Sequence, residues 1–139
     1  MFQPRAILLP VDLDESGLDA IAYTIDLAKQ FGSAIHFFFV NPRQAGYRHP
    51  SLSLDDLKER VAAHASAGAL AELSVEYAVS RGDLGREAHR YCEEHGIDLL
   101  ITTHERHTRL YTGMLDTRDE EIIESVDVPV LVLSKELLK

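Results

Sequence analysis

Five basic side chains, His104, Arg106, His107, Arg109 and Arg118, crowd into one short window of a chain whose formal net charge is -9. Clustered guanidinium and imidazole groups can hold an anion, phosphate above all, through charge-assisted hydrogen bonds. The same window also carries Asp116, Asp119, Glu120 and Glu121, which oppose that role at a helix N-terminus. A solvated loop is the plainer use of such a charge run. A second group, Asp12, Asp14 and Glu15, follows the first apolar run and could give oxygen ligands to Mg²⁺ beside a nucleotide. For Asp14 and Glu15 the simpler role is to cap a helix and balance its dipole.

Other chemistry finds less support. His104 and His107 have an H-x-x-H spacing, but zinc takes three or four converging ligands. His36, His49, His64, His89 and His95 are scattered over other segments, so no metal site is expected. Cys92 is the single cysteine, which excludes an internal disulfide, and its inward helical position predicts a buried, inert thiol. The chain has no Gly-x-Ser-x-Gly elbow, Gly-x-x-x-x-Gly-Lys loop or Gly-x-Gly-x-x-Gly fingerprint. No catalytic set is visible, and a protein without enzyme activity is expected.

The elements that must position these residues read clearly. Residues 6–11 (AILLPV) are a continuous apolar run, as in a strand buried on both faces, with Pro10 near its end. Ser16 with Asp19 suggests a capping box, and Leu18, Ile21, Ala22, Ile25 and Ala28 repeat at helical spacing up to Gly32. Residues 34–40 (AIHFFFV) form a second strand. After the turn-rich stretch 41–50, a second helix is expected with Leu54, Leu57, Val61 and Ala65 on one face. Residues 73–79 alternate, so a strand wet on one side is expected, at a sheet edge. Gly82 and Asp83 turn the chain into a third helix with Ala88, Tyr91 and Cys92 inward, ending at His95 and Gly96. A fourth strand spans 98–102. Thr117 with Glu120 caps a fourth helix marked by Ile122, Ile123 and Val126, and a last strand spans 127–133. Strands alternating with helices predict an α/β fold in three layers, a parallel sheet between helices.

With 139 residues the chain makes one domain, and 45% hydrophobic with 27% charged residues gives it a core and a soluble surface. Its acidity argues against nucleic acid or an anionic membrane as partner. No apolar run approaches the roughly 18 residues of a membrane span. Met1 leads straight into the first strand without a signal-like segment, so a cytoplasmic protein is expected.

Three stretches together resemble the universal stress protein family over nearly the whole chain. They are Ile7-Leu8-Leu9-Pro10-Val11-Asp12 with Ser16, then Arg81-Gly82-Asp83, then Ile97-Asp98-Leu99-Leu100-Ile101 followed by the loop and Val128-Pro129-Val130-Leu131-Val132. The resemblance implies a Rossmann-like sheet of five strands, order 3-2-1-4-5, akin to the adenine nucleotide alpha hydrolases. It also implies ligand space above strands one and four. In the family's nucleotide-binding branch the adenine side would be Pro10, Val11, Asp12 and Val40. The phosphate side would be Thr102, Thr103, His104, Arg106, Arg109, Asp116 and Thr117. Members commonly dimerise through the last strand, here Val128, Val130, Leu131, Val132 and Leu133.

The ATP-binding branch carries a Gly-x2-Gly-x9-Gly-(Ser/Thr) loop, whose glycines bring N–H groups onto phosphate oxygens. Counting back from Pro129 puts its last pair on Asp116-Thr117 and its first glycines on Thr103 and Arg106; starting from His104 puts them on Thr102 and Glu105. Gly113 is the loop's only glycine and falls in neither place. Asp116 would satisfy the N–H groups that a phosphate needs, and repel the phosphate. The expectation is therefore a homodimeric stress-response module with no cofactor and an unidentified protein partner. The alternative is an adenine-nucleotide protein, ATP or AMP with Mg²⁺, in which Arg106, Arg109 and Thr117 replace glycine N–H groups and hydrolysis is at most slow. An adenylating synthetase would want a serine- and glycine-rich loop after strand one, where this chain has Leu13-Asp14-Glu15-Ser16-Gly17.

Overall fold

The structure, a computed structural model, describes residues 2–12, 15–43, 51–104 and 118–138. In chain order it contains β1 (Ala6–Pro10), α1 (Glu15–Phe31), β2 (Ala34–Asn41), α2 (Leu54–His64), β3 (Val75–Arg81), α3 (Leu84–His95), β4 (Leu99–His104), α4 (Arg118–Ser125), β5 (Val130–Ser134) and a closing 3-10 turn (Lys135–Leu138). The strands form one sheet in the order β3-β2-β1-β4-β5, with every adjacent pair parallel.

The two-residue period of a strand divides the core. Ile7, Leu9, Ile35, Phe37, Phe39, Leu99 and Ile101 face α1 and α2, where they meet Ala20, Ile21, Ile25, Leu57 and Val61. Leu8, Phe38, Val40 and Leu100 face the other way, onto Ala88, Tyr91, Cys92 and Ile122. Burying a Leu- or Phe-sized side chain contributes about 1.5–3 kcal/mol, and both layers draw on β1 and β2. Asp98 pins the start of β1 from the side: its carboxylate accepts from the N–H of Arg5 at 2.9 Å and of Ala6 at 3.0 Å.

Several local expectations need correction. α1 begins at Glu15, so Ser16 lies inside the helix and is not its N-cap. The capping box is found elsewhere: Ser53 and Asp56 exchange side-chain-to-backbone bonds of 3.1 and 3.0 Å at the start of α2. Leu54, just inside that cap, is 42% exposed, while Leu57 and Val61 are buried. α2 ends at His64, and the alanine-rich stretch beyond it turns back with Ala69, Leu70 and Leu73 against the core. Ile123 is 48% exposed because Ile122 on α4 and Val126 just past its end face the core and leave Ile123 turned away. β4 runs on to His104, and β5 starts at Val130 rather than Asp127. The pairing Thr102 to Val132, Thr103 to Leu133 and His104 to Ser134 explains the longer strand.

Two histidines that look scattered in sequence also come together. His36 lies near the start of β2, on the same side as Phe38 and Val40, and its Nδ1 is 2.7 Å from the Tyr91 hydroxyl. His95 stacks on Tyr91 with ring centroids 3.8 Å apart, and Glu76 of β3 lies 3.5 Å from His36. Burial is the main influence that lowers the His36 pKa; Glu76 opposes it and His95 adds to it. Burial also pushes Tyr91 up to about 12 and the Cys92 thiol up to about 11. Cys92 is thus the inert thiol expected from its position.

Two outcomes follow. A Cβ at Gly85 would collide with the Ser125 hydroxyl and sit 2.9 Å from Glu121 Cγ and 3.0 Å from the Glu121 carbonyl. Gly85→Ala should cost about 1–3 kcal/mol in urea unfolding, because α3 and α4 must move apart. His36 is held neutral in the folded state, so the unfolded chain binds the extra proton first. Stability should therefore fall as pH drops from about 6.5 toward the lowered folded value, and His36→Phe should flatten that slope in pH-dependent melting curves.

Candidate functional site

All five strands run the same way, so their carboxyl ends share one rim of the sheet. β1 supplies Pro10 there, followed by buried Val11 and half-buried Asp12. The Val11 N–H extends the ladder to the Phe38 carbonyl at 2.7 Å, which ties this corner to β2. Val40, nearly the last residue of β2, is buried beside them. Between β1 and β4 the sheet reverses its direction of winding, the usual place for a ligand in open α/β sheets.

A cleft of about 200 Å³ opens on this rim, lined by Val40, Pro42, Gly82, Leu84 and Glu121. Gly82 makes the turn into α3: its φ is +136°, and its N–H donates to the Asn41 carbonyl at 2.9 Å. An L side chain rarely adopts that conformation, which explains the glycine. Asn41 is buried and holds the chain where it returns from the connection after β2. Its Nδ2 donates to the Leu52 carbonyl at 3.0 Å, and its Oδ1 accepts from the Leu52 N–H at 2.9 Å. Below the turn, buried Glu87 accepts from the Ser80 hydroxyl and from the Arg90 guanidinium.

Glu121 makes the cleft acidic at the N-terminus of α3. Gly85 stands in the first turn of α3, and its N–H donates to Glu121 Oε1 at 3.0 Å. One of the orphan donors at that helix N-terminus is thus satisfied by the protein's own carboxylate. Asp83 occupies the N-cap position and pairs with Arg43 at 3.2 Å rather than capping the helix through its side chain. Arg81 is engaged too, donating to the Ser51 hydroxyl at 2.6 Å. Among the described residues, Arg43 and Arg81 are both committed to the scaffold.

The expected phosphate side is described only at its strand end. Thr102 is buried, and Thr103 and His104 are half-buried, all within β4 rather than in the loop. Leu13, Asp14, Glu105, Arg106, His107, Arg109, Gly113, Asp116 and Thr117 lie outside the described residues, as do the side chains of Glu15, Ser16, Arg118, Asp119 and Glu120. Sequence reasoning missed Asn41 and the pairing of Glu121 with Gly85. Glu121 was legible only as a charge in the first turn of a helix; its partner comes from α3, which a single sequence does not disclose. The expected dimer strand sits at the opposite sheet edge from β3, with Val132 39% exposed, Leu133 buried, and Val130 and Leu131 half-buried. Val128 precedes it, packed against the α3 side of the core.

Comparison with curated protein sequences found no match. The family model described as the Universal stress protein family matches residues 4–134. Among solved structures, a universal stress protein in complex with cAMP superposes with a TM-score of 0.70 at 14% identity, covering 96% of this chain and 99% of that one. The universal stress protein UspA from Lactobacillus plantarum gives 0.64 at 17% identity, covering 96% and 99%. A universal stress protein from Archaeoglobus fulgidus in complex with dAMP gives 0.56 at 13% identity, covering 94% and 97%. No described helix is long and apolar enough to cross a membrane.

Proposed function

The chain belongs to the universal stress protein family, and from that premise we propose that it is a dimeric regulatory module of the stress response that does not hold ATP tightly. The observation that carries this is the 3.0 Å bond from the Gly85 N–H to Glu121, which puts a carboxylate on a helix N-terminus beside the cleft. A triphosphate brought there meets like charge, and must displace a bond already made. In neither register does the chain carry the first two glycines of the family's phosphate pattern, with Thr103 and Arg106 or Thr102 and Glu105 at those places. Its action is then through a protein partner, and no reaction is assigned to it. Mass spectrometry of the small molecules released from purified, denatured protein should find no stoichiometric ATP, and ATP with Mg²⁺ should leave the melting temperature unmoved. Copurifying ATP would sink the proposal.

A second reading is favoured by the solved relatives bound to cAMP and dAMP. Each of those ligands has an adenine and a single phosphate, so neither needs a full triphosphate cradle. On this reading Pro10, Val11, Asp12 and Val40 form the adenine side, and Thr102, Thr103, His104, Arg106, Arg109, Asp116 and Thr117 the phosphate side. Calorimetry at millimolar AMP should then give heat that Asp12→Ala abolishes. An isotherm without heat rejects it.

The dimer is supported by apolar exposure on β5, a sheet-edge strand on which Val132 is well exposed. Pairing through Val128, Val130, Leu131, Val132 and Leu133 would cover both an open strand edge and some of that surface. Val132→Asp should shift sedimentation from dimer to monomer while far-UV circular dichroism stays unchanged; a variant that remains dimeric excludes this edge.

A further inference from the structure

We propose that His89, Glu93 and Asp127 form a binding site for a divalent transition-metal ion, Zn²⁺ in the first instance, that ties α3 to the turn leading into β5. His89 and Glu93 are four residues apart on α3 and so share one face of the helix. Asp127 comes from a separate segment, between α4 and β5. One ligand atom from each lies within 4.8 Å of the other two.

The His89–Glu93 distance suits a metal. Ligands at about 2.1 Å on a tetrahedral ion stand about 3.4 Å from each other. His89 Nε2 and Glu93 Oε1 are already 3.2 Å apart, and Asp127 Oδ2 is 4.0 Å from His89 Nδ1. Asp127 must swing from one edge of the imidazole toward the other, which its side chain, 88% exposed, is free to do. Water completes the coordination. The charges also balance, since two carboxylates and a neutral imidazole offset a divalent ion. Among the described residues the ion pairs of Glu93 and Asp127 are both to His89, so neither carboxylate must leave a lysine or arginine to bind. The imidazole nitrogen selects zinc over the hard cations Mg²⁺ and Ca²⁺, which want oxygen alone.

The site lies on the α3 side of the molecule, away from the cleft at the strand ends, and stands or falls independently of nucleotide binding. The test is calorimetric titration of the full chain with Zn²⁺, beside His89→Ala, Glu93→Gln and Asp127→Asn, with His64→Ala as a control on α2. The wild type and the control should bind one Zn²⁺, and each site variant should bind at least about tenfold more weakly. Zn²⁺ should also raise the melting temperature of the wild type and leave that of His89→Ala unmoved, because an ion held only by the folded chain stabilises it. With Co²⁺ as a paramagnetic probe, amide resonances near 89, 93 and 127 should broaden first. Absence of Zn²⁺ binding, wild-type affinity in His89→Ala, or broadening centred on other histidines would each overturn the assignment.

Discussion

β1 is the strand on which the rest depends. Ile7, Leu8 and Leu9 are out of water on both faces of the sheet, and β1 is paired on one side with β2 and on the other with β4. A strand in that position cannot be served by one layer of helices. Ile7 and Leu9 call for α1 and α2, and Leu8 calls for α3 and α4. The chain must therefore build outward from β1 in one direction, return, and build outward in the other. That reversal is what brings the ends of β1 and β4 together at the rim and leaves Asp12 beside it. The candidate site region follows from the packing demand of a few aliphatic side chains.

Much of this was legible in sequence because strand and helix periods are read from neighbours a few residues apart. The apolar run of β1, the alternation of β3 and the inward Ala88, Tyr91 and Cys92 of α3 all have local signatures. The errors are local as well. Ile122 and Ile123 are both apolar, but only one of two adjacent helical residues can face the core. Ser16 and Ser53 both begin credible capping boxes, and only at Ser53 does the helix start one residue later. What escaped entirely were contacts between distant segments. His36 meets Tyr91 and His95 only because β2 and α3 pack together, and Glu121 meets Gly85 only because α3 and α4 do. No spacing within either segment announces the other.

The two ends of the sheet hold different kinds of polar group. At the amino end, His36 is shielded beneath α3 and keeps a neutral ring against Tyr91. At the carboxyl end two of the described acids are engaged, Glu121 with the Gly85 backbone and Asp83 with Arg43. Gly85 links both themes. It lets α4 come close enough for Glu121 to reach the helix terminus, and Ser125 closes the same gap one turn further on. Close approach of two helices and occupation of a potential anion site are thus one arrangement.

Asn41 closes a ring. Its side chain holds both backbone groups of Leu52, so the ten-residue span between them begins and ends at a fixed point of the sheet. α2 takes its position from Leu52 and the Ser53 cap, not from the path the chain takes to reach them. Because the cost of closing such a loop grows only with the logarithm of its length, about 0.6 kcal/mol for each doubling, this connection is where the chain can accept inserted or exchanged sequence. Peptide grafts placed in this connection should therefore leave the strands of the candidate site rim where they are.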